Sequence, residues 1–183
     1  YAAMLRSIGK RFVDEGHDVV VFSSQPSYKS GAGLDRRPAI ESLDGMVVHR
    51  ISLFGPQHKN IVFTFLNVLY FPLRTFLFCL LSTRVGLIMA STAPPVLVGF
   101  AAAMGAKLRG TAFFYHCMDI HPEIGRISGE FRNPLLFRFL RRLDSISCGI
   151  ARQVVVLSTD MKKSLLARPH MDASNIVVIN NFP

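Results

Sequence analysis

Apolar and polar positions follow two different periods along the chain. Residues 2–15 place apolar side chains at helical spacing, and Gly16 marks the end of that pattern. Residues 19–22 then form a continuous apolar run, which is typical of a parallel strand buried on both faces. The order of helix, glycine and buried strand is half of a βαβ unit, so it predicts a further strand before Tyr1.

Later apolar runs also have the length of strands. They are residues 46–53, 85–90, 111–115, 153–157 and 176–179. Helical patterns occur at residues 96–108, after Asn133 and after Ser158, two residues suited to cap a helix start. Residues 23–45 are rich in Ser, Gly, Pro and charge, and they predict a loop. Because strands and helices alternate, we predict an α/β fold with a doubly wound, mostly parallel sheet.

The most apolar stretch of the chain is Ile61–Leu81. Its length nearly suffices to span a bilayer, but Arg74 near the bilayer centre would cost roughly 3 kcal/mol or more, which argues against a spanning helix. Two interpretations stay open: a helix kinked at Pro72 and buried against the sheet, and an element at a lipid interface. The many aromatic side chains of this segment favour the lipid interface.

Composition narrows the class of protein. With 183 residues and 50% hydrophobic content, the chain is expected to form one folded domain. Three widely spaced cysteines indicate no disulfide framework and a reducing, cytoplasmic compartment. The formal net charge of +9 indicates a phosphorylated substrate, an anionic membrane surface or nucleic acid as partner. Nucleic acid is disfavoured, because the basic pairs lack the interleaved aromatic residues of a single-strand binder.

Potentially reactive side chains are concentrated directly after the strand predicted at residues 111–115. They are His116, Cys117, Asp119, His121 and Glu123. Pro122 prevents a return to strand pairing, so residues 116–123 are predicted to be a loop. In an open parallel α/β sheet, ligands bind at the carboxyl ends of the strands. We therefore predict that the functional site lies in this loop.

Five short motifs flank the predicted strands. They are Gly16-His17-Asp18-Val19, Ser91-Thr92-Ala93-Pro94-Pro95, Asp119-Ile120-His121-Pro122-Glu123, Leu157-Ser158-Thr159-Asp160-Met161 and Ile179-Asn180-Asn181-Phe182-Pro183. Their order and spacing resemble the N-terminal domain of a family 4 retaining glycosyltransferase of GT-B fold, over essentially the whole chain. The resemblance implies a Rossmann-like acceptor-side domain at residues 1–183 that lacks its first strand. It also implies a second domain, absent from this chain, that holds a nucleotide-sugar.

The resemblance implies an enzyme that transfers a sugar from a nucleotide-sugar to an acceptor with retention, without a cofactor or a metal ion. The sequence lacks the paired glutamates that the family uses around the donor, since Glu123 and Glu130 flank the wrong element at the wrong spacing. The domain by itself is therefore expected to be inactive. Asn180 and Asn181 lie where the family's interdomain linker begins and resemble hinge residues.

By the same resemblance, residues 116–123 face the cleft between the two domains. Glycosyl transfer requires that an acceptor hydroxyl is oriented and loses its proton, which carboxylate and imidazole groups can assist. Asp119 and His121 are predicted to be catalytic on this basis. The residues predicted to bind substrate are His116, Glu123, Pro94 and Ser158.

Each of these side chains also has a structural interpretation. Asp119 would cap the turn that follows it, Glu123 would cap a helix start, and Ser158 would be an N-cap. His116 would be a strand-end histidine with satisfied hydrogen bonds. A metal site is conceivable on ligand type, but the spacing matches no known pattern such as H-E-x-x-H, so no metal is expected. Its ligands would be His116, Cys117, Asp119 and His121.

We expect a cytoplasmic enzyme bound peripherally to the inner face of the membrane, in surface-polysaccharide or glycolipid synthesis. Its acceptor would be a lipid-linked or phosphorylated sugar. The basic charge and the apolar segment Ile61–Leu81 motivate the membrane location. Two alternatives stay open: a non-catalytic α/β partner subunit of a two-component transferase, and a nucleic-acid-binding module.

Overall fold

The computed structural model of the chain describes residues 2–26, 37–54, 61–92, 95–129, 132–169 and 171–180. The chain divides into two compact units, Tyr1–Asn67 and Val68–Pro183. The described strands of the first unit form a three-stranded sheet, and those of the second form a four-stranded sheet. Helices lie between the strands along the chain, so the predicted α/β fold class is confirmed.

The first unit begins with helix α1 (Ala2–Asp14). Gly16 has a φ of 86°, a conformation that favours glycine, and it lies between α1 and strand β1 (Val20–Ser24). β1 pairs in parallel with β3 (Met46–Ile51). The order of helix, glycine and strand predicted for residues 2–22 is therefore confirmed.

A strand lies within the segment that was predicted to be a loop. β2 (Ile40–Leu43) pairs with β3 in antiparallel orientation across a two-residue turn, Asp44-Gly45. Both turn residues have positive φ, which suits the right-handed twist of a hairpin. The loop prediction is therefore wrong for β2. Residues 27–36 of the same predicted loop lie outside the described residues.

The second unit is built on four parallel strands. In spatial order they are β4 (Leu87–Ser91), β5 (Ala112–Cys117), β6 (Gln153–Val156) and β7 (Ile176–Val178). The helices are α2 (Ile61–Leu81), which begins in the first unit, α3 (Leu97–Arg109), α4 (Glu123–Ile127), α5 (Pro134–Ile150) and α6 (Thr159–Leu166). The parallel pairing of all four strands agrees with the prediction of a Rossmann-like sheet.

The core of the second unit lies between the sheet and helices α3 and α5. Glycines of α3 allow a close approach to neighbouring elements. A Cβ atom on Gly99 would lie 2.6 Å from the ring of Tyr115, and one on Gly105 would lie 2.8 Å from Cβ of Cys79. The small side chains of α3 are therefore required for this packing.

Helix α2 continues through Pro72. In the described part of the chain, one helical segment, Val62–Leu81, is long and apolar enough to cross a membrane by length and composition. Only 11% of its most apolar 18-residue window is buried, so the interpretation of a helix buried against the sheet is not borne out. The buried side chains of α2 are small or polar, namely Asn67, Thr75 and Cys79.

Several predictions concern parts of the protein that lie outside the described residues. They are the strand before Tyr1, the second domain, and the interpretations of Pro94, Glu130 and Asn181. These predictions stay predictions.

Candidate functional site

Segments from three of the sequence motifs meet at the carboxyl edge of the four-stranded sheet. Thr92 follows β4, residues 118–122 connect β5 to α4, and Ser158 follows β6. Because β4, β5 and β6 are neighbours and parallel, their carboxyl ends lie at one edge of the sheet. The segment from Met118 to Pro122 is called the β5–α4 loop below.

Strand β5 is longer than the sequence predicts. His116 and Cys117 pair in register with Val155 and Val156 of β6. The ladder is formed by backbone groups, so an imidazole or a thiol side chain does not interrupt it. The prediction that the loop begins at residue 116 is therefore wrong, and His116 is a residue of the sheet.

Thr92 fixes the beginning of the β5–α4 loop. Its side chain is buried, and its Oγ1 accepts hydrogen bonds from the backbone N–H groups of Met118 at 3.1 Å and Asp119 at 3.3 Å. These contacts join the end of β4 to the loop that follows β5. No role was predicted for Thr92, although a short hydroxyl side chain at a strand end is a signal for such a bond.

Asp119 presents an exposed carboxylate between β5 and α4. A capping role would require this carboxylate to accept a backbone N–H, and none of the described residues donates one to it. The backbone of Asp119 is held by Thr92, whereas its side chain extends from an anchored position without a described partner. The carboxylate is therefore available to accept a hydrogen bond from a ligand.

Two histidines at this edge have a buried ring nitrogen without a described partner. These atoms are Nδ1 of His116 and Nδ1 of His121. His116 is only 6% exposed, and burial lowers the pKa of its imidazole, which keeps the ring neutral at pH 7. The interpretation of His116 as a fully satisfied histidine is not borne out. A neutral imidazole has one donor nitrogen and one acceptor nitrogen.

Glu123, the first residue of α4, is bound by a buried arginine. Its two carboxylate oxygens accept hydrogen bonds from Nε and Nη2 of Arg168, at 2.9 and 2.7 Å. Arg141 adds an ion pair at 3.4 Å. Pro122 is the N-cap of α4, and no side-chain hydrogen bond caps this helix. The capping interpretation of Glu123 is not borne out, and both of its oxygens are already engaged with arginine.

Arg168 belongs to a network that we call the Arg168 cluster, formed by Arg168, Asp144, Glu123 and Tyr115. Nη1 of Arg168 donates to Oδ2 of Asp144 at 2.6 Å, and the hydroxyl of Tyr115 donates to Oδ1 at 2.6 Å. The Arg168 side chain is fully buried. Burial opposes its charge, but hydrogen bonds to Glu123 and the charge of Asp144 raise the pKa of Arg168 above its usual value.

The Arg168 cluster was not predicted, although the sequence of α5 carries a signal for it. The buried residues of α5 are Phe137, Leu140, Asp144, Ser147 and Cys148. Their helical spacing places the Asp144 carboxylate in an otherwise mostly apolar stripe. A carboxylate at such a position indicates a buried cationic or hydrogen-bonding partner, because an unpaired buried charge is strongly unfavourable.

Ser158 is the N-cap of α6, as predicted. Its Oγ accepts a hydrogen bond from the backbone N–H of Met161 at 3.2 Å. This bond uses the oxygen as an acceptor, so the hydroxyl proton is still available as a donor. Pro94, the other predicted substrate-binding residue of this edge, lies outside the described residues.

A metal site was considered for the side chains around the β5–α4 loop. Across the described ranges, no three His, Cys, Asp or Glu side chains come together as metal ligands. Cys117 is fully buried in the core on the sheet, and Glu123 is bound by Arg168.

A second candidate surface lies between α2 and α3. A groove of about 360 Å³ is lined by apolar side chains only. The lining residues are Val68, Leu69, Pro72, Leu73 and Phe76 of α2, with Leu97, Phe100, Ala101, Met104 and Leu108 of α3. Two exposed basic residues lie near the carboxyl ends of these helices in sequence: Arg84 follows α2, and Lys107 belongs to the last turn of α3.

The sequence of the whole chain matches a known family. A sequence model of Glycosyltransferase Family 4 matches residues 2–182, which include both sheets and the complete carboxyl edge described above. No curated protein matches the chain. The match and the parallel sheet agree with the resemblance found in the strand-end motifs.

Proposed function

The chain belongs to Glycosyltransferase Family 4, and on this premise we propose that it is the acceptor-side domain of a retaining enzyme that uses a nucleotide-sugar. The acceptor in this proposal is a lipid-linked sugar of a polysaccharide or glycolipid precursor. The observation that carries the proposal is the exposed carboxylate of Asp119 on an anchored loop at the carboxyl edge of the sheet.

Asp119 and His121 are the catalytic residues in this proposal. The Asp119 carboxylate accepts a hydrogen bond from the acceptor hydroxyl and orients it toward the donor sugar. His121 assists the loss of the hydroxyl proton during transfer. His121 is only partly buried, and its backbone is held by Arg168 on the same anchored loop as Asp119, which supports this assignment.

His116 and Ser158 bind substrate hydroxyl groups in this proposal. The hydroxyl proton of Ser158 is a hydrogen-bond donor that the described structure leaves available, and His116 lies near the end of β5 at the same carboxyl edge. The nucleotide-sugar is held by a second domain, and neither a cofactor nor a metal ion takes part. This division assigns the acceptor to the present chain.

We also propose that the enzyme binds peripherally to the anionic inner face of the membrane through α2. The outward surface of this helix carries leucine side chains such as Leu69, Leu73 and Leu81, which are 53%, 55% and 71% exposed. Apolar side chains of this kind lose unfavourable contact with water when they enter the headgroup region. Arg84 and Lys107 supply positive charge for anionic headgroups.

Activity tests the catalytic proposal. The complete gene product is incubated with nucleotide-sugars and membrane-extracted or synthetic lipid-linked acceptors, and sugar transfer is measured. The Asp119→Asn variant is expected to lose about 100-fold or more in kcat. Asp14→Asn, which changes an exposed carboxylate of α1, is the matched control and should retain full activity. An unchanged kcat for Asp119→Asn would remove this residue from the site.

Liposome flotation tests the membrane proposal independently. The complete gene product is expected to float with vesicles that contain anionic lipid at low salt and much less with purely zwitterionic vesicles. If the protein binds neither type of vesicle, the proposed membrane location is refuted.

If no nucleotide-sugar supports transfer but a separately encoded donor domain binds the chain, the partner-subunit alternative replaces the proposed function.

A further inference from the structure

Arg168 connects the segment around the start of α4 with α5 in the second unit. Its guanidinium donates to Glu123 at the start of α4, to Asp144 in α5, and to the backbone carbonyl of His121 at 2.8 Å. Glu123 and Asp144 are 45 and 24 residues from Arg168 in sequence. One buried side chain therefore holds the end of the β5–α4 loop against two helices.

The orientation of Arg168 is itself fixed by the core. Asp144, which binds one edge of the guanidinium, is held on its other oxygen by the hydroxyl of Tyr115. The Tyr115 ring packs so closely against α3 that a Cβ on Gly99 would lie 2.6 Å from it. The contacts from α3 through Tyr115 and Asp144 therefore restrict the orientation of the Arg168 guanidinium.

The β5–α4 loop is consequently anchored at both ends. Thr92 binds the backbone of Met118 and Asp119 at its beginning, and Arg168 binds the His121 carbonyl near its end. The exposed side chain of Asp119 lies between these two anchors. An anchored loop restricts the position of a reacting group, and a misplacement of about 1 Å can cost about 100-fold in rate.

The choice of arginine at this position has a geometric reason. A buried ionic network is often no more stabilising than apolar packing of the same volume, so stability alone does not explain it. The planar guanidinium offers parallel N–H groups to both oxygens of Glu123 and further N–H groups to Asp144 and His121. A lysine ammonium would keep the charge but lose this fork.

We infer that Arg168 and Glu123 are positioning residues for the transfer reaction, acting through the β5–α4 loop on Asp119 and His121. Neither residue contacts the reacting atoms in this assignment. In this assignment the Glu123 carboxylate accepts the two hydrogen bonds from Arg168 and does not bind substrate. The inference rests on the proposed function, because it needs Asp119 or His121 in the site.

The test compares kcat and KM for Arg168→Lys, Asp119→Asn and the double variant in the complete gene product. Arg168→Lys is expected to lower kcat about 100-fold per folded molecule, with KM for the nucleotide-sugar changed less than about twofold. Arg142→Lys, an exposed arginine of α5, is the matched control and should keep wild-type kcat. An unchanged kcat in Arg168→Lys overturns the inference.

The double variant separates positioning from a merely structural role. If Arg168 acts through Asp119, adding Arg168→Lys to Asp119→Asn should lower kcat by less than about threefold, because the positioned group is already lost. Multiplicative losses would overturn the inference. If Asp119→Asn alone retains activity, the proposed role of Asp119 fails and His121→Ala takes its place in the cycle. If neither change affects kcat, both proposals fail.

Glu123→Gln provides a second variant in case Arg168→Lys does not fold. The amide keeps the shape of the side chain and one acceptor oxygen, and Glu123 is partly exposed, so the fold should tolerate the change. We expect kcat to fall about tenfold with the acceptor KM unchanged. A higher acceptor KM at unchanged kcat would assign Glu123 to substrate binding and overturn the inference.

Discussion

The Arg168 cluster and helix α2 place polar and apolar groups in opposite ways. In the Arg168 cluster, the charged side chains of Arg168 and Asp144 are buried almost completely. In α2, large apolar side chains such as Leu69 and Leu73 are more than half exposed, while the polar Asn67 and Thr75 are buried. Both arrangements reverse the usual distribution of residues between interior and surface.

The two regions differ in how the unfavourable placement is compensated. Each buried charge of the Arg168 cluster meets an opposite charge and directed hydrogen bonds within the same unit. The exposed apolar side chains of α2 have no corresponding contacts in the described structure. Leaving apolar surface in water costs about 25 cal/mol per Å² relative to burying it. The proposed function assigns a bilayer to this exposed face of α2.

Asp144→Ala should have the largest effect, because it breaks the compensation inside the cluster. The change leaves Arg168 buried with one of its two carboxylate partners removed, so the free energy of unfolding should fall by about 3–5 kcal/mol. Urea denaturation followed by circular dichroism measures this loss. Asp14→Ala in α1 is the exposed control and should be nearly neutral. A loss below about 1 kcal/mol would show that the cluster contributes little.

A double change in α2, Leu69→Ser with Leu73→Ser, should separate folding from membrane binding. Because both side chains are exposed, the free energy of unfolding should change by less than about 1 kcal/mol. If both leucine side chains enter the bilayer, the double change removes about 3 kcal/mol of favourable transfer free energy. Liposome affinity should then fall more than about 100-fold. Leu135→Ser, an exposed leucine of α5, is the control. Unchanged liposome binding would contradict the role of α2.

Tyr115→Phe tests a single bond of the cluster. The variant keeps the ring that packs against Gly99 but removes the hydroxyl that donates to the Asp144 carboxylate. Loss of a hydrogen bond to a charged group should lower the free energy of unfolding by about 1.5–3 kcal/mol. Tyr70→Phe, whose hydroxyl meets exposed Arg74, should cost less. Equal losses in the two variants would show that burial does not strengthen the Tyr115 bond.

The smallest expected effect is a dependence of the protein's stability on pH, caused by His116. Burial lowers the pKa of His116 in the folded state, so the unfolded state binds its proton first as the pH falls through about 6.5. Stability should therefore be lower at pH 5.5 than at pH 7.5, and His116→Gln should lose less stability between these values. Denaturation midpoints at both pH values measure this difference. Identical losses in both proteins would exclude His116 as the cause.

Local patterns predicted the parts of the fold that depend on neighbours in sequence. Asn133 caps α5 by accepting hydrogen bonds from the N–H groups of Leu135 and Leu136, and Ser158 caps α6. Strand β2 was missed, although Asp44-Gly45 is a hairpin signal, because a polar composition was given more weight than the turn chemistry. The end of β5 was placed too early for a similar reason.

For the candidate site, the sequence indicated only where its residues would lie in the sheet. The sequence placed Asp119, His121 and Ser158 at strand ends, and parallel pairing brings those ends to one edge. It assigned Glu123 to substrate, whereas Arg168 binds both carboxylate oxygens in the structure. That contact joins residues 45 positions apart, and no local period of the sequence indicates which distant side chains will meet.

By itself, the sequence determined the α/β class, most of the helices and strands, and the edge that carries the reactive side chains. These features follow from apolar periods and capping residues, which act over a few positions. Only the tertiary structure decided that Arg168 holds the β5–α4 loop and that α2 turns its leucines outward. When a helix is apolar on most sides, its sequence does not indicate which face will be buried. A buried ion pair depends on packing between elements that are distant in sequence.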